Sequence, residues 1–455
     1  DFSLFRILGV SRWDPHPPLF LVVLHFWIKI FGFNEFSPRF FIALTGIISV
    51  FPVYFLGKEL INKNTGIIAG FLLSVNYYHL YYSQEVRPYM LLFLFSTLSY
   101  LFFIRNLKRI GKSDRVFYVL STVLLLYTHF FGLFVLISQL IYLGLHLIFQ
   151  RKISRLPIIK DYLLSGFFMV LLYSPMIYFV LKMIEKKEHW IKSAPGSAIF
   201  PGIFAGFFGH ETVLVALFAA LLIILLFTCV KAQRGSPITD SKPDSLLFSV
   251  PVLFAWIFFS LFIPYFRSIM SVPMFSFKHA ICVLAAVIIL IAMALERIRP
   301  ATFKGLIIAS ILILSLTSIF YHHDYYHKKT KQQWREAVSD IIRSVESKEK
   351  NIKTVVMSDE IRYSGCYFSL LKSNIEVKKP GFLNLKNSLR NCSEQSMLLI
   401  ILDWDEQKIK DIRFKQIVSE YFTLIEQKEF ISIKNLTYRA DWETLEKLRE
   451  VLKLT

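Results

Sequence analysis

The chain is short of acid and of cysteine: 33 aspartates and glutamates stand against 52 lysines and arginines, and 455 residues include four cysteines. It also has no glycine-rich phosphate loop, no nucleophile elbow and no histidine or cysteine at metal-ligand spacing. These absences remove the nucleotide-loop, serine-hydrolase and zinc-site classes. Its long apolar runs hold almost no ionisable residues. A multi-spanning lipid or glycan transporter or flippase, the competing class, predicts charge buried mid-span and internal repeats.

What is present is apolar surface. Hydrophobic residues make up 55% of the chain and aromatics 16%, far from a soluble average, so the sequence reads as a polytopic membrane protein. The net charge of +19 does not point to nucleic acid, because many of the basic residues lie in short loops between apolar runs. About ten runs are long enough to be read as spans: 39–56, 65–82, 88–104, 116–128, 132–149, 162–181, 212–230, 246–265, 280–295 and 305–321. The loops alternate in charge. Arg105, Lys108, Arg109, Lys112 and Arg115 sit in one rich loop, whereas Arg87 is alone in the next short one on the other side. The positive-inside rule makes the rich set cytoplasmic. Residues 1–38, the 85–87 turn, the 182–211 and 267–279 loops and everything after Tyr321 then face outward. An outward start that is not Met leads us to expect a preceding cytoplasmic tail and one further span; no signal peptide is visible.

The segment from Pro18 to Phe33 is too short to span comfortably. His25 and Lys29, four apart, share a helix face, and Pro17-Pro18 and Gly32 suit its start and end. It is expected to lie in the outer interface, the other reading being an eleventh, short span. Beyond Tyr321 the composition turns polar. A helical pattern from Trp334 and apolar β-type runs at 353–357 and 396–402 predict a small α/β domain. The domains are thus 1–38, an outer loop with the interfacial helix; 39–321, the helical membrane region; and 322–455, an extracytoplasmic α/β domain. Cys366 and Cys392 could bridge or stay free in an oxidising compartment. Cys229 and Cys282 fall in spans as small core residues.

Three strings carry a family likeness: Asp14-Pro15-His16-Pro17-Pro18-Leu19-Phe20; Phe31-Gly32-Phe33-Asn34-Glu35-Phe36 with Arg39; and Tyr82-Ser83-Gln84-Glu85-Val86-Arg87-Pro88-Tyr89. Together they resemble the core of GT-C class membrane glycosyltransferases, nearest to the Rgt-type and aminoarabinose-transferase-like families, kin of the protein O-mannosyltransferases. The likeness is close over roughly residues 1–105 and architectural beyond. It implies transfer of a sugar from a polyprenyl-phosphate donor to a lipid, glycan or protein hydroxyl on the outer face of the cytoplasmic (inner) membrane. Donor, acceptor and membrane lipids are the implied partners, with no nucleic acid. No cofactor is certain; some members use a divalent cation at an acidic loop, and a single visible carboxylate cannot form such a site.

That chemistry needs a carboxylate to deprotonate or orient the acceptor hydroxyl, and cations to neutralise the departing phosphate. Asp1, in Asp1-Phe2-Ser3-Leu4, resembles the end of the family's acidic motif: it is the family carboxylate or its neighbour. Asp14 is the second catalytic candidate, although Asp before Pro is also a turn residue. His16 stands where relatives have a basic residue, which implies a phosphate contact; capping of the Pro-Pro turn is the other reading. Glu85 and Arg87 could pair with each other, or Arg87 could fork onto phosphate. Lys278-His279 occupies the place where relatives often show Arg-Tyr. Lysine keeps a point charge there without bidentate geometry. The Gly- and aromatic-containing loop 182–211 suits a mobile cover.

Overall fold

In a computed structural model, the protein is described at residues 16–149, 155–184, 196–235, 246–271, 273–324 and 333–346, and at most of 352–453. It divides into two units, 1–324 and 325–455.

The first unit is helical. After α1 (Leu19–Phe31) come α2 (Phe36–Leu60), α3 (Lys63–Ser74), α4 (Tyr77–Tyr82), α5 (Tyr89–Lys108), α6 (Lys112–Thr128), α7 (Phe131–Phe149) and α8 (Arg155–Ile184). The chain continues through α9 (Ile199–Phe207), α10 (Thr212–Gly235) and α11 (Leu246–Met270). A 3-10 turn over Phe277–Val283 leads into α12 (Leu284–Glu296), and α13 (Ala301–Thr317) ends in a π-helical turn over Ser318–His322.

Among the described residues, eight helical segments are long and apolar enough to cross a bilayer. Two of the ten expected runs do not qualify. Residues 65–82 break at Val75–Asn76, where the Asn76 carboxamide leaves helical geometry to accept from the His79 amide and start α4. The run at 116–128 lies in a 17-residue helix. α1 has 13 residues, begins after Pro18 and stops at Gly32, whose φ of 81° is the left-handed region. At 1.5 Å per residue it is about 20 Å long, short of the roughly 30 Å hydrocarbon thickness.

The most deeply buried stretch is 280–295, the end of the 3-10 turn and nearly all of α12, where every residue from Ala280 to Leu295 is buried. α2 and α3 approach closely because Gly57 meets Gly66: a Cβ on Gly57 would stand 3.0 Å from the Gly66 Cα. Polar side chains hold the neighbouring helices together. Gln139 donates to Ser99 at 2.9 Å and accepts from the Tyr118 hydroxyl at 3.0 Å, tying α7 to α5 and α6. Asp161 on α8 accepts from Asn106 and from Arg115 Nη1, the latter at 2.6 Å.

The second unit is an α/β sandwich: α14 (Trp334–Glu346), β1 (Ile352–Ser358), α15 (Ile361–Leu370), β2 (Val377–Lys378), α16 (Phe382–Arg390), β3 (Ser396–Leu402), α17 (Ile412–Tyr421), β4 (Thr423–Phe430), β5 (Ile433–Asp441) and α18 (Trp442–Val451). The sheet order is β2-β1-β3-β5-β4, with β1 parallel to β2 and β3, and β5 antiparallel to β3 and β4. Alternation in β1 sends Val355 and Met357 to one core with α16, α17 and α18, and Val356 to another with α14 and α15. Both cysteines are free thiols. Cys392 packs in the first core, whereas α15, which carries Cys366, packs through Phe368 in the second, on the other side of the sheet.

Candidate active site

Pro88 starts α5 with its fixed φ, and the next residue, Tyr89, is the hub of the site. The residue is 2% exposed. His16 lies edge-on at 6.5 Å between centroids, Tyr82 at 5.4 Å, His129 at 6.1 Å and His279 at 6.4 Å, and the Lys278 Nζ stands 5.6 Å above the ring. Residues distant in sequence therefore converge where four segments end: the approach to α1, the start of α5, the α6–α7 junction and the 3-10 turn.

Each segment has a local reason for its shape. The α4–α5 turn is tight, with the Arg87 amide donating to the Glu85 carbonyl at 2.6 Å. Arg87 is exposed and Glu85 half-buried; among the described residues they form no ion pair with each other. Both act electrostatically on Lys278, Arg87 as a like charge and Glu85 as an opposite one. Lys278 and His279 enter the 3-10 turn through a capping box in which Ser276 and His279 exchange hydrogen bonds, the Ser276 amide donating to His279 Nδ1 at 3.3 Å. His279 is then stacked on Phe131 at 4.2 Å.

His129 was not singled out by the sequence, since a lone histidine between two apolar runs carries no signal of its own. It ends α6 in extended geometry, and its Nδ1 accepts from the Phe131 amide at 3.1 Å. Its ring lies 5.0 Å from that of His16 and 5.2 Å from that of His279. Burial, with His279, His16 and Lys278 nearby, holds its imidazole well below the usual histidine range, so it is neutral at physiological pH. With Nδ1 accepting, the neutral ring carries its proton on Nε2.

Of the seven expected site residues, the structure thus brings His16, Lys278 and His279 to Tyr89, with Glu85 and Arg87 in the adjoining turn. Asp1 and Asp14 lie outside the described residues. Arg39 lies within α2 and is exposed. Within the 182–211 loop, residues 199–207 form a packed helix. α9 buries Ile199, Ile203 and Phe207, and Gly202 leaves no room for a Cβ, which would stand 2.8 Å from the Phe277 ring. The Asn76 carboxamide locks the end of α9 by donating to the Phe207 carbonyl at 2.7 Å. His189, Trp190 and Pro195 lie outside the described residues. Among the described residues no group of three histidine, cysteine or acidic side chains is placed to hold a metal ion.

The fold is that of the GT-C class of membrane glycosyltransferases. A crystal structure of ArnT from Cupriavidus metallidurans in the apo state superposes with a TM-score of 0.63 at 11% identity, over 94% of this chain and 88% of that one. ArnT from the same organism bound to undecaprenyl phosphate gives 0.60 at 12% identity, over 93% and 88%. The archaeal oligosaccharyltransferase AglB from Archaeoglobus fulgidus, in complex with an inhibitory peptide and a dolichol-phosphate, gives 0.50 at 11% identity, over 85% and 61%. Within the class, the dolichyl-phosphate-mannose-protein mannosyltransferase family model matches residues 15–179. That stretch includes His16, Glu85, Arg87, Tyr89 and His129; Lys278 and His279 lie beyond it. No curated protein matches the sequence.

Proposed function

We propose that this protein transfers a sugar from a polyprenyl-phosphate donor to a hydroxyl on a lipid, glycan or protein acceptor, at the outer face of the cytoplasmic membrane. The observation that carries the reading is the convergence of Lys278, His279, His16 and His129 on Tyr89, with Arg87 and Glu85 in the adjoining turn, in a fold shared with a protein crystallised with undecaprenyl phosphate.

In this reading the lipid phosphate meets Lys278 and Arg87, whose charges offset the negative charge that grows on it as the bond from the anomeric carbon to the phosphate oxygen breaks. His16 and His279 supply hydrogen bonds at the same place. A carboxylate from the start of the chain, Asp1 or Asp14, takes or orients the proton of the attacking hydroxyl. Tyr89 holds the imidazoles and the Lys278 ammonium in register, so that the groups are positioned before the donor arrives.

The test is transfer from a radiolabelled polyprenyl-phosphate sugar in membranes that contain the full-length protein. Arg87→Ala, Lys278→Ala and His16→Ala should each lower transfer by at least about tenfold at unchanged expression, the usual scale for a lost charge-stabilising group being larger still. Full activity in Arg87→Ala and His16→Ala would sink the assignment.

A further inference from the structure

Tyr78 lies on α4 and is buried, yet its hydroxyl meets a segment 199 residues further along the chain. It donates to the Phe277 carbonyl at 2.5 Å. Phe277 opens the 3-10 turn, and the next two residues are Lys278 and His279. One hydrogen bond therefore ties α4 to the backbone immediately before the ammonium that stands over Tyr89.

The contacts around this bond are mostly ring packing. The Tyr78 ring lies edge-on to Tyr82 at 4.8 Å and to Phe207 at 5.1 Å. Phe207 ends α9, and its carbonyl takes the Asn76 carboxamide at the head of α4. α9 also meets the turn itself, where Gly202 stands against the Phe277 ring. Such packing is not directional, whereas a hydrogen bond fixes both distance and angle. Along the backbone, Ser268 on α11 accepts from the Met274 and Phe275 amides, each at 3.1 Å. The capping box of Ser276 and His279 is internal to the turn, and the Tyr78 hydroxyl supplies the next tie to another helix. His279 is held separately, by that box and by its stack on Phe131. Lys278 is a point charge on a flexible four-carbon stem, so the place where its backbone starts decides what its ammonium can reach.

We propose that Tyr78 is a positioning residue for the donor phosphate: through the Phe277 carbonyl it sets the place of Lys278 over Tyr89. This role rests on the lipid-phosphate reading of the Tyr89 cluster; Tyr78 acts through the turn, without touching the phosphate.

Retention of undecaprenyl phosphate by the full-length protein in detergent, read by native mass spectrometry against undecaprenol, tests it. The measurement reports affinity per folded molecule, so a lower yield of folded protein does not move it. Tyr78→Phe keeps the ring and removes the hydroxyl; it should weaken retention about fivefold, the scale of one hydrogen bond. Lys278→Ala should weaken it further. Adding Tyr78→Phe to Lys278→Ala should then cost nothing more, because the group that the hydroxyl places is gone. Tyr162→Phe removes a hydroxyl-to-carbonyl bond of the same kind, from α8 to Phe103 on α5 at 2.8 Å, and should leave retention unchanged. Unchanged retention in Tyr78→Phe, a further loss of that size in the double variant, or an equal loss in Tyr162→Phe overturns the positioning role and leaves Lys278 in its own. Equal retention of the two lipids by the unsubstituted protein, or full retention in Lys278→Ala, strikes the phosphate reading itself and the positioning role with it.

Discussion

His129 shows most directly what burial does to a single residue. Its side chain is 4% exposed, its Nδ1 is held by a backbone amide, and its pKa is pushed well below 6.5. The unfolded chain therefore takes up a proton, as pH falls through 6.5, that the folded chain does not. The stability contributed by this group is present above that pH and is lost below it, at no more than about 1.4 kcal/mol per pH unit. Thermal unfolding in detergent should show falling stability from pH 7 to pH 5, with a shallower fall in His129→Gln. An equal slope in the two proteins would mean that other buried groups carry the whole effect. Lys278 illustrates the converse: it carries the charge, but its place over Tyr89 and its field from Arg87 and Glu85 are set by segments almost 200 residues away.

Among elements, the α2–α3 pair is the clearest case of a contact set by what is missing. Gly66 faces α2 so closely that a Cβ would stand 2.4 Å from the Tyr54 carbonyl oxygen. Gly66→Ala should cost about 1–3 kcal/mol, the range for overpacking a filled contact. A lower unfolding midpoint in detergent would register it. Gly144→Ala on α7, where nothing lies within 4 Å, should be close to neutral. Because α3 leads through Asn76 into α4 and the Glu85–Arg87 turn, a spread α2–α3 contact should also lower transfer activity. The Asp161–Arg115–Asn106 group joins α8 to α6 and α5 in the same way that Gln139 joins α7 to them. Polar contacts between helices, here one ion pair and several hydrogen bonds, are how such bundles gain specificity.

For the whole molecule, the orientation proposed from loop charge is the premise on which an outward-facing site rests. Single cysteines introduced at Gln84 and Ser197, both exposed, should react with an impermeant maleimide added outside intact cells, and one at Ser113 should not. The reverse pattern would turn the Tyr89 cluster inward and remove access to a donor presented at the outer face. The second unit has its own two hydrophobic cores on opposite sides of a five-stranded sheet.

The amino-acid sequence by itself determined the membrane class, most of the spans, the short helix between Pro18 and Gly32, and the first helix and two strands of the α/β unit. These follow from composition and local periodicity, which need no partner to be read. It also pointed to His16, Glu85, Arg87, Lys278 and His279 through a family likeness. Tertiary structure alone decided that Tyr89 is their hub, that His129 joins them as a neutral imidazole, that α9 is packed rather than free, and that Cys366 and Cys392 stay apart. The reason is physical: which rings meet at 5 to 6 Å depends on how α5, α6 and the 3-10 turn pack in three dimensions. No local pattern records that packing.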